Sequence, residues 1–442
     1  MAYFYLNIGK SLGSIKELVD SREDENGKVY PDLKTRLDQK EKEFNLKLTD
    51  LEALIKNQNI PDIENPDSDS DDSNSQLKVY GVRIDTTNSN PETALVYTDD
   101  AIDFTPAKGN NGSFNYGSWK KVFPFNQIKP CLYKNGEVNY YLNPNDYDKK
   151  VDGSVADITS GDDGDVMVEF PKVWWKFETV GNYLDIKYAN KQVDSSWKCL
   201  AHQKGNSEFD KVYISAYMGY SLSGKLRSLS GKIPTTDETI STFRTQAKAN
   251  GSNYNQMAYY QLLMLQVLFI IMFKSRDSQT ALGRGYVDDN SESTSTGATN
   301  TKGLFYGEST GYQQNKFCGI EDFWGNTVYW IDGFFSDSNI NILIGNTNFN
   351  DNGNGYTNYG QGSDVSGFID TIKGGTETGF LIETNNGSAK TYYPDYGGLS
   401  AGAFPYFGSY YNDGSSGGAF QLYVNYDATA SYWFVGARLF AL

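Results

Sequence analysis

The sequence predicts an α+β chain built of four successive parts, and three observations predict it. Apolar residues recur at heptad-like spacing near the N-terminus, and an acidic Ser/Asp/Pro segment follows that has too little apolar content to pack. The remainder alternates short β-branched and aromatic runs with Gly, Asn and Asp breakers around only two helical patterns. We therefore expect an N-terminal helical, coiled-coil stalk over 1–59, an acidic flexible linker over 60–76, a β-rich region over 77–230 and a second, loop-rich folded part over 231–442.

In the first part, Leu33, Leu37, Phe44, Leu51 and Leu54 fall on a and d positions of one heptad frame, with Lys40 and Lys47 at the intervening d positions. A lone amphipathic helix of this length is marginal in water, so the pattern predicts self-association, as a homotrimer. The linker reads IPDIENPDSDSDDSNSQ. Beyond it, LKVYGVRID, NYYLNP, DVMVEFPKVWWKFE, YLDIKYA and KVYISAYMGY read as strands. Thr235 and Glu238 form a capping box ahead of Ile240, Phe243 and Ala247 and predict a first helix. A second, from Asn255 to Phe273, is apolar nearly all round and is predicted to be buried. Its most apolar stretch, Leu262 to Phe273, is too short to span a bilayer, so no membrane insertion is expected. From Gly283 onward, TVYWIDGFF, NINILIG, TGFLIET, AFQLYVNY and YWFVGARLF predict short strands joined by long loops, the places where binding residues usually sit on a rigid scaffold.

Composition narrows the function. A net charge of -16 without a basic stripe argues against nucleic-acid binding. Cys131, Cys199 and Cys318 are odd in number and far apart, which predicts buried free thiols rather than a disulfide framework or a thiolate metal cage. The chain has one histidine, His202, and no H-E-x-x-H, paired C-x-x-C, G-x-S-x-G or G-x-x-x-x-G-K-[ST] motif, so no catalytic residue, metal site or nucleotide cofactor is predicted and the chain is read as a non-enzyme. Asp162, Asp163 and Asp165, like Asp67 to Asp72, read as solvated loops, with calcium the one ion that oxygen-rich loops of this kind could recruit. The start of the chain has no basic region leading into an apolar run, and no signal peptide is expected.

Two motifs carry resemblances. Val19, Asp20, Arg22, Tyr30, Leu33, Arg36, Leu37 and Asp38, within Glu17 to Glu41, resemble a junction in tail-fibre and baseplate proteins of phages that infect Gram-positive bacteria, with Ser21 in place of the usual Ala. The run from Gly319 to Gly333 resembles the G-x-x-D-x-x-G-N-x-x-E-W signature of the C-type-lectin-like fold shared by formylglycine-generating enzymes, retroelement-diversified variable proteins and phage receptor-binding tips. Gly319, Asp322, Gly325, Asn326 and Trp330 match it, Trp324 lies within it, Tyr329 replaces the usual Glu, and Arg438 in Gly436-Ala437-Arg438 stands where a closing G-F-R is expected. YGVRIDTTNSNP, PFNQIKPC and GDVMVEFPKVWWK look like further blocks of phage tail proteins that carry this module. The resemblance implies that 231–442 is a C-type-lectin-like binding domain, and that the chain lacks the copper-binding cysteine pair or iron-binding histidines of the enzymes of that fold.

Gly408 to Leu439 is similar to the variable region of the diversified proteins, where exposed Tyr, Asn, Asp and Ser form the ligand surface. Tyrosine offers a large contact area at small entropic cost, and Ser, Gly and Asn offer adaptable hydrogen bonds. The predicted ligand-binding residues are Tyr410, Tyr411, Asn412, Asp413, Tyr423, Asn425, Tyr426, Tyr432 and Trp433. Together these readings predict a phage virion protein of the tail or baseplate that attaches to other virion proteins through 1–59 and binds a host-surface glycan, teichoic acid or protein. The alternatives are a head fibre or capsid decoration protein of the same fold and, further off, a carboxylate-based depolymerase.

Overall fold

Strand pairing dominates the chain. A computed structural model describes residues 76–289 and 291–442, and within them strands outweigh helices, at 36% against 9%. The expected α+β class with a coiled-coil stalk is thereby corrected: the protein is mainly β, with three short helices and no long stalk helix among the described residues. The assigned stalk, 1–59, and all of the linker but Gln76 lie outside them. The physical reason is that the two helical patterns cover few residues, while β-branched and aromatic side chains elsewhere find cross-strand partners.

The largest sheet has seven strands, in the order Tyr254–Gln256, Leu439–Ala441, Lys211–Ser215, Asp165–Pro171, Lys129–Lys134, Glu137–Asn143 and Asp146–Lys150. It draws strands from both 77–230 and 231–442, and a single apolar cluster runs from Val82 and Trp175 to Trp324 and Phe420. A four-stranded antiparallel sheet places Leu95–Asp99, Val79–Asp85, Tyr183–Ala189 and Trp174–Val180 side by side, with Val79 opposite Ala189 and Asp85 opposite Tyr183.

Helix α1 spans Ile240–Lys248 and buries Ile240, Phe243 and Ala247, the stripe its sequence marks out. Its cap is not the box at Thr235: Thr239 Oγ1 accepts the Thr242 amide, and Thr235 Oγ1 accepts the amide of Ser221 instead. Helix α2, Tyr259–Phe273, is buried on every side. It starts later than predicted because Tyr254–Gln256 pairs with Leu439–Ala441. Its two glutamines find acceptors within the core, Gln261 donating to the Ala201 carbonyl (2.7 Å) and Gln266 to that of Ala419 (2.9 Å). A buried amide without such a partner would cost roughly 1–3 kcal/mol. Helix α3 is the short turn Ser278–Ala281, capped by Asp277.

All three cysteines are buried and free. His202 is also fully buried, and burial holds its imidazole down to about 3, leaving it neutral. The acidic run at 162–165 is only partly a solvated loop. Asp165 is buried against Arg227 (2.9 Å) and the Ser228 amide (2.8 Å), and Asp163 accepts the Tyr140 hydroxyl (2.7 Å).

Candidate ligand-binding surface

The surface rests on a six-stranded sheet ordered Val365–Phe368, Tyr396–Leu399, Leu422–Tyr426, Phe404–Phe407, Val328–Trp330 and Val435–Gly436. Register sets Tyr423 opposite Tyr406 and Tyr406 opposite Trp330. Strict alternation would turn Tyr426 away from Tyr423. Instead the register shifts at Phe404/Pro405, so Asn425 has no cross-strand partner and Tyr426 comes opposite Phe404. The bulge leaves Leu422 and Val424 buried beneath and brings Tyr423, Tyr426 and Tyr406 into one stack.

That stack continues as a ribbon of rings. Tyr396 lies on Tyr423 (5.7 Å between centroids), Tyr423 on Tyr406 (5.4 Å), Tyr406 on Tyr426 (5.1 Å) and Tyr426 on Tyr432 (4.4 Å). Phe434 then joins Tyr432 (5.5 Å) to Tyr410 (5.2 Å), and Tyr410 meets Trp433 (5.6 Å) and Tyr411 (5.6 Å) edge-on. Exposure varies along it, from Tyr406 at 7% to Tyr432 at 37% and Trp433 at 55%.

The structure thus brings together every predicted aromatic ligand residue, namely Tyr410, Tyr411, Tyr423, Tyr426, Tyr432 and Trp433. Asn412 and Asn425 are exposed beside them. Asp413 is half-buried and works inward. Its Oδ2 accepts the Tyr410 amide (3.0 Å), and burial raises its carboxyl to about 6 against the lowering effect of that bond and of Gln421. Sequence reasoning missed Tyr396, Tyr406 and Phe434, because their membership depends on strand order and on the bulge.

The loop that carries Tyr410 to Asp413 is held from below. The Tyr411 amide donates to the Asn326 carbonyl (3.1 Å), the Gly414 amide to Val287 (3.0 Å), and Gln279 Nε2 to the carbonyls of Gly414 (2.9 Å) and Gly417 (2.7 Å). A cavity of about 490 Å³ opens beside the loop, lined by Arg284, Glu308, Lys390, Asp395 and Ser415 among others. Burial raises the Asp395 carboxyl to about 8.

The signature residues form the support. Gly319, Asp322, Gly325 and Asn326 all take positive φ, and a Cβ on Gly319 would sit 2.6 Å from the Tyr147 hydroxyl. Asn326 donates to the Thr294 carbonyl (3.0 Å) and to Asp322 Oδ2 (2.9 Å), and its Oδ1 accepts the Thr294 amide (2.9 Å). Trp324 Nε1 donates to the Arg284 carbonyl (2.8 Å), and Trp330 Nε1 to that of Glu238 (3.2 Å).

Arg438 is fully buried and donates to the backbone carbonyls of Glu321 and Asp322, with Tyr329 facing its guanidinium at 5.0 Å. In place of the usual Glu, Tyr329 therefore offers a ring face to the cation and its hydroxyl to the Phe323 carbonyl (3.3 Å). Around this lie Glu321, which accepts from Gly297, Thr299 and Gln314, and Lys316, whose ammonium sits 3.6 Å from the centre of the Tyr147 ring. Burial lowers Lys316 to about 7 and, with the neighbouring Glu321, holds Asp322 well above the carboxylate range. Their displaced protonation follows from burial in a sealed network and does not by itself mark a reactive site.

No protein-family model and no curated protein matches the sequence. Among solved structures the chain is similar to PvdO from Pseudomonas aeruginosa, at 11% identity over 65% of this chain and 98% of that one, with a TM-score of 0.28. A likeness of that size carries no argument about fold or function.

Proposed function

We propose that the protein is a bacteriophage virion protein that binds the host cell surface through the aromatic ribbon, with a cell-wall glycan as its target. The ribbon is the observation that supports this most. Sugar rings present apolar C–H faces that stack on aromatic rings, and the hydroxyls of Tyr410, Tyr411, Tyr426 and Tyr432, with the amides of Asn412 and Asn425, lie where a saccharide's own hydroxyls would need partners. Sheet and bulge hold Tyr396, Tyr406, Tyr423 and Tyr426, and backbone bonds hold the loop of Tyr410 and Tyr411, which limits the conformational entropy lost on binding. One such site binds weakly, and presentation in several copies on a virion, as a homotrimer, raises the avidity. The virion assignment itself rests on the resemblance of Val19 to Asp38 and of Gly319 to Arg438 to phage proteins.

The test is adsorption competition with the full chain added to host cells before the phage. Saturating protein is expected to block adsorption, and a Tyr410→Ala/Tyr411→Ala/Trp433→Ala variant to lose the block. Protein that neither binds cells nor competes would overturn the receptor-binding reading in favour of a capsid decoration role.

A further inference from the structure

A second cavity, of about 490 Å³, shares no lining residue with the aromatic ribbon and is lined by three basic side chains. Lys204, Arg244 and Lys248 line it, with Thr347 and Asn348 on the 346–349 loop and Phe349 and Phe440 among its apolar wall. Arg244 is committed. Its guanidinium holds Asp332 through two bonds (2.6 and 3.0 Å) and Asp351 through a third (2.6 Å), which also occupies those two carboxylates.

The two lysines are not committed in this way. Lys204 Nζ donates only to the Ser252 carbonyl (3.3 Å) and Lys248 Nζ only to Asn255 Oδ1, and neither is in an ion pair with any carboxylate among the described residues. Each ammonium has three donors, so both retain donors for a ligand. The side chains of Thr347 and Asn348 bond to no other residue among those described. Partial burial and the like charge of Lys204 lower the Lys248 ammonium from its usual range, against the raising effect of Asp332, and an anion between the lysines would relieve what remains.

The mouth is built rather than incidental. Asn346 clamps Gly205, the neighbour of Lys204, by accepting its amide (3.2 Å) and donating to its carbonyl (3.1 Å), and so ties the 346–349 loop to the lysine. The Phe349 and Phe440 rings pack at 6.4 Å and leave an apolar wall beside the cations.

We propose that this cavity binds a phosphate ester of a small polyol or sugar, the phosphate between Lys204 and Lys248 and the carbon skeleton against Phe349 and Phe440. The volume lies within the range of small-molecule sites. The proposal does not depend on the aromatic ribbon or on any host-surface role.

Calorimetric titration of the full chain with glycerol 3-phosphate, inorganic phosphate and glycerol tests it. Saturable binding of glycerol 3-phosphate is expected, weaker binding of inorganic phosphate and none of glycerol. Lys204→Gln/Lys248→Gln should weaken glycerol 3-phosphate by about ten-fold or more, since both charged hydrogen bonds to the phosphate are lost. The Tyr410→Ala/Tyr411→Ala/Trp433→Ala variant should bind it unchanged. Absence of saturable binding, or equal binding by the lysine variant, would overturn the site. Inorganic phosphate binding as tightly as glycerol 3-phosphate would overturn the assignment of the apolar wall to the ligand's carbon skeleton.

Discussion

The buried network around Arg438 and the aromatic ribbon above it lie one hydrogen bond apart, through the Tyr411 amide and the Asn326 carbonyl, yet they divide the molecule's chemistry sharply. The network holds fully buried ionisable groups, Lys316, Glu321, Asp322 and Arg438. The ribbon holds no cation, and its exposed members are rings and amides. The contrast teaches that displaced protonation follows from burial and is no guide by itself to a binding surface. Polar groups sealed from water fix backbone turns, because each carbonyl or amide they satisfy would otherwise be stranded. The proposed ligand surface is made of rings and neutral polar groups, which hold water less tightly than charges do.

The largest effect should come from breaking the network. Arg438→Met leaves the carbonyls of Glu321 and Asp322 unpaired and removes the cation facing Asp322, and should destabilise the fold by about 3–5 kcal/mol in equilibrium denaturation. If the cost were below about 1 kcal/mol, the network would not be the support described. Next in size is Tyr410→Ala/Tyr411→Ala/Trp433→Ala, which removes the exposed end of the ribbon. It should lower affinity for host cell wall by roughly 2 kcal/mol or more, about thirty-fold, while the denaturation midpoint moves little. An unfolded triple variant would erase the proposed division of labour.

Protonation gives a smaller effect that separates the two regions by pH. Burial raises the carboxyls of Asp413 and Asp322 above the unfolded value of about 3.9, so the native state binds more protons than the unfolded one, and their contribution to stability falls as pH rises. For Asp413 the loss runs from about 4 to about 6, and for Asp322 it continues to higher pH. Asp413→Asn should flatten the stability profile only between about 4 and 6, and Asp322→Asn both there and at higher pH, read from melting temperature against pH. The smallest effect is expected of Tyr329→Phe, which loses one 3.3 Å hydrogen bond but keeps the ring facing Arg438; about 1 kcal/mol or less should be lost in denaturation.

Local pattern made much of this legible. YLDIKYA is the strand Tyr183–Ala189, the stripe Ile240, Phe243, Ala247 is the buried face of α1, and the uniform hydrophobicity of α2 is full burial. The exposure of Asn412, Asn425, Tyr432 and Trp433 was legible from residue type, whereas Asp413 turns inward to the Tyr410 amide. The α+β class was misjudged because helical patterns stand out in a sequence more than short strands do, whose partners lie far along the chain. Thr235 was misread as a cap because a capping box is a local signal, and the tertiary contact with Ser221 took that hydroxyl.

By itself, then, the sequence determined which segments extend and which helix is buried, since period and residue type act over a few neighbours. Only the tertiary structure decided that Tyr396, Tyr406 and Phe434 complete the ribbon, that a register shift at Phe404/Pro405 turns Tyr426 into it, and that Lys204 and Lys248 share a cavity. These depend on strand order and register, which couple residues far apart in the chain and leave no period in the sequence to read.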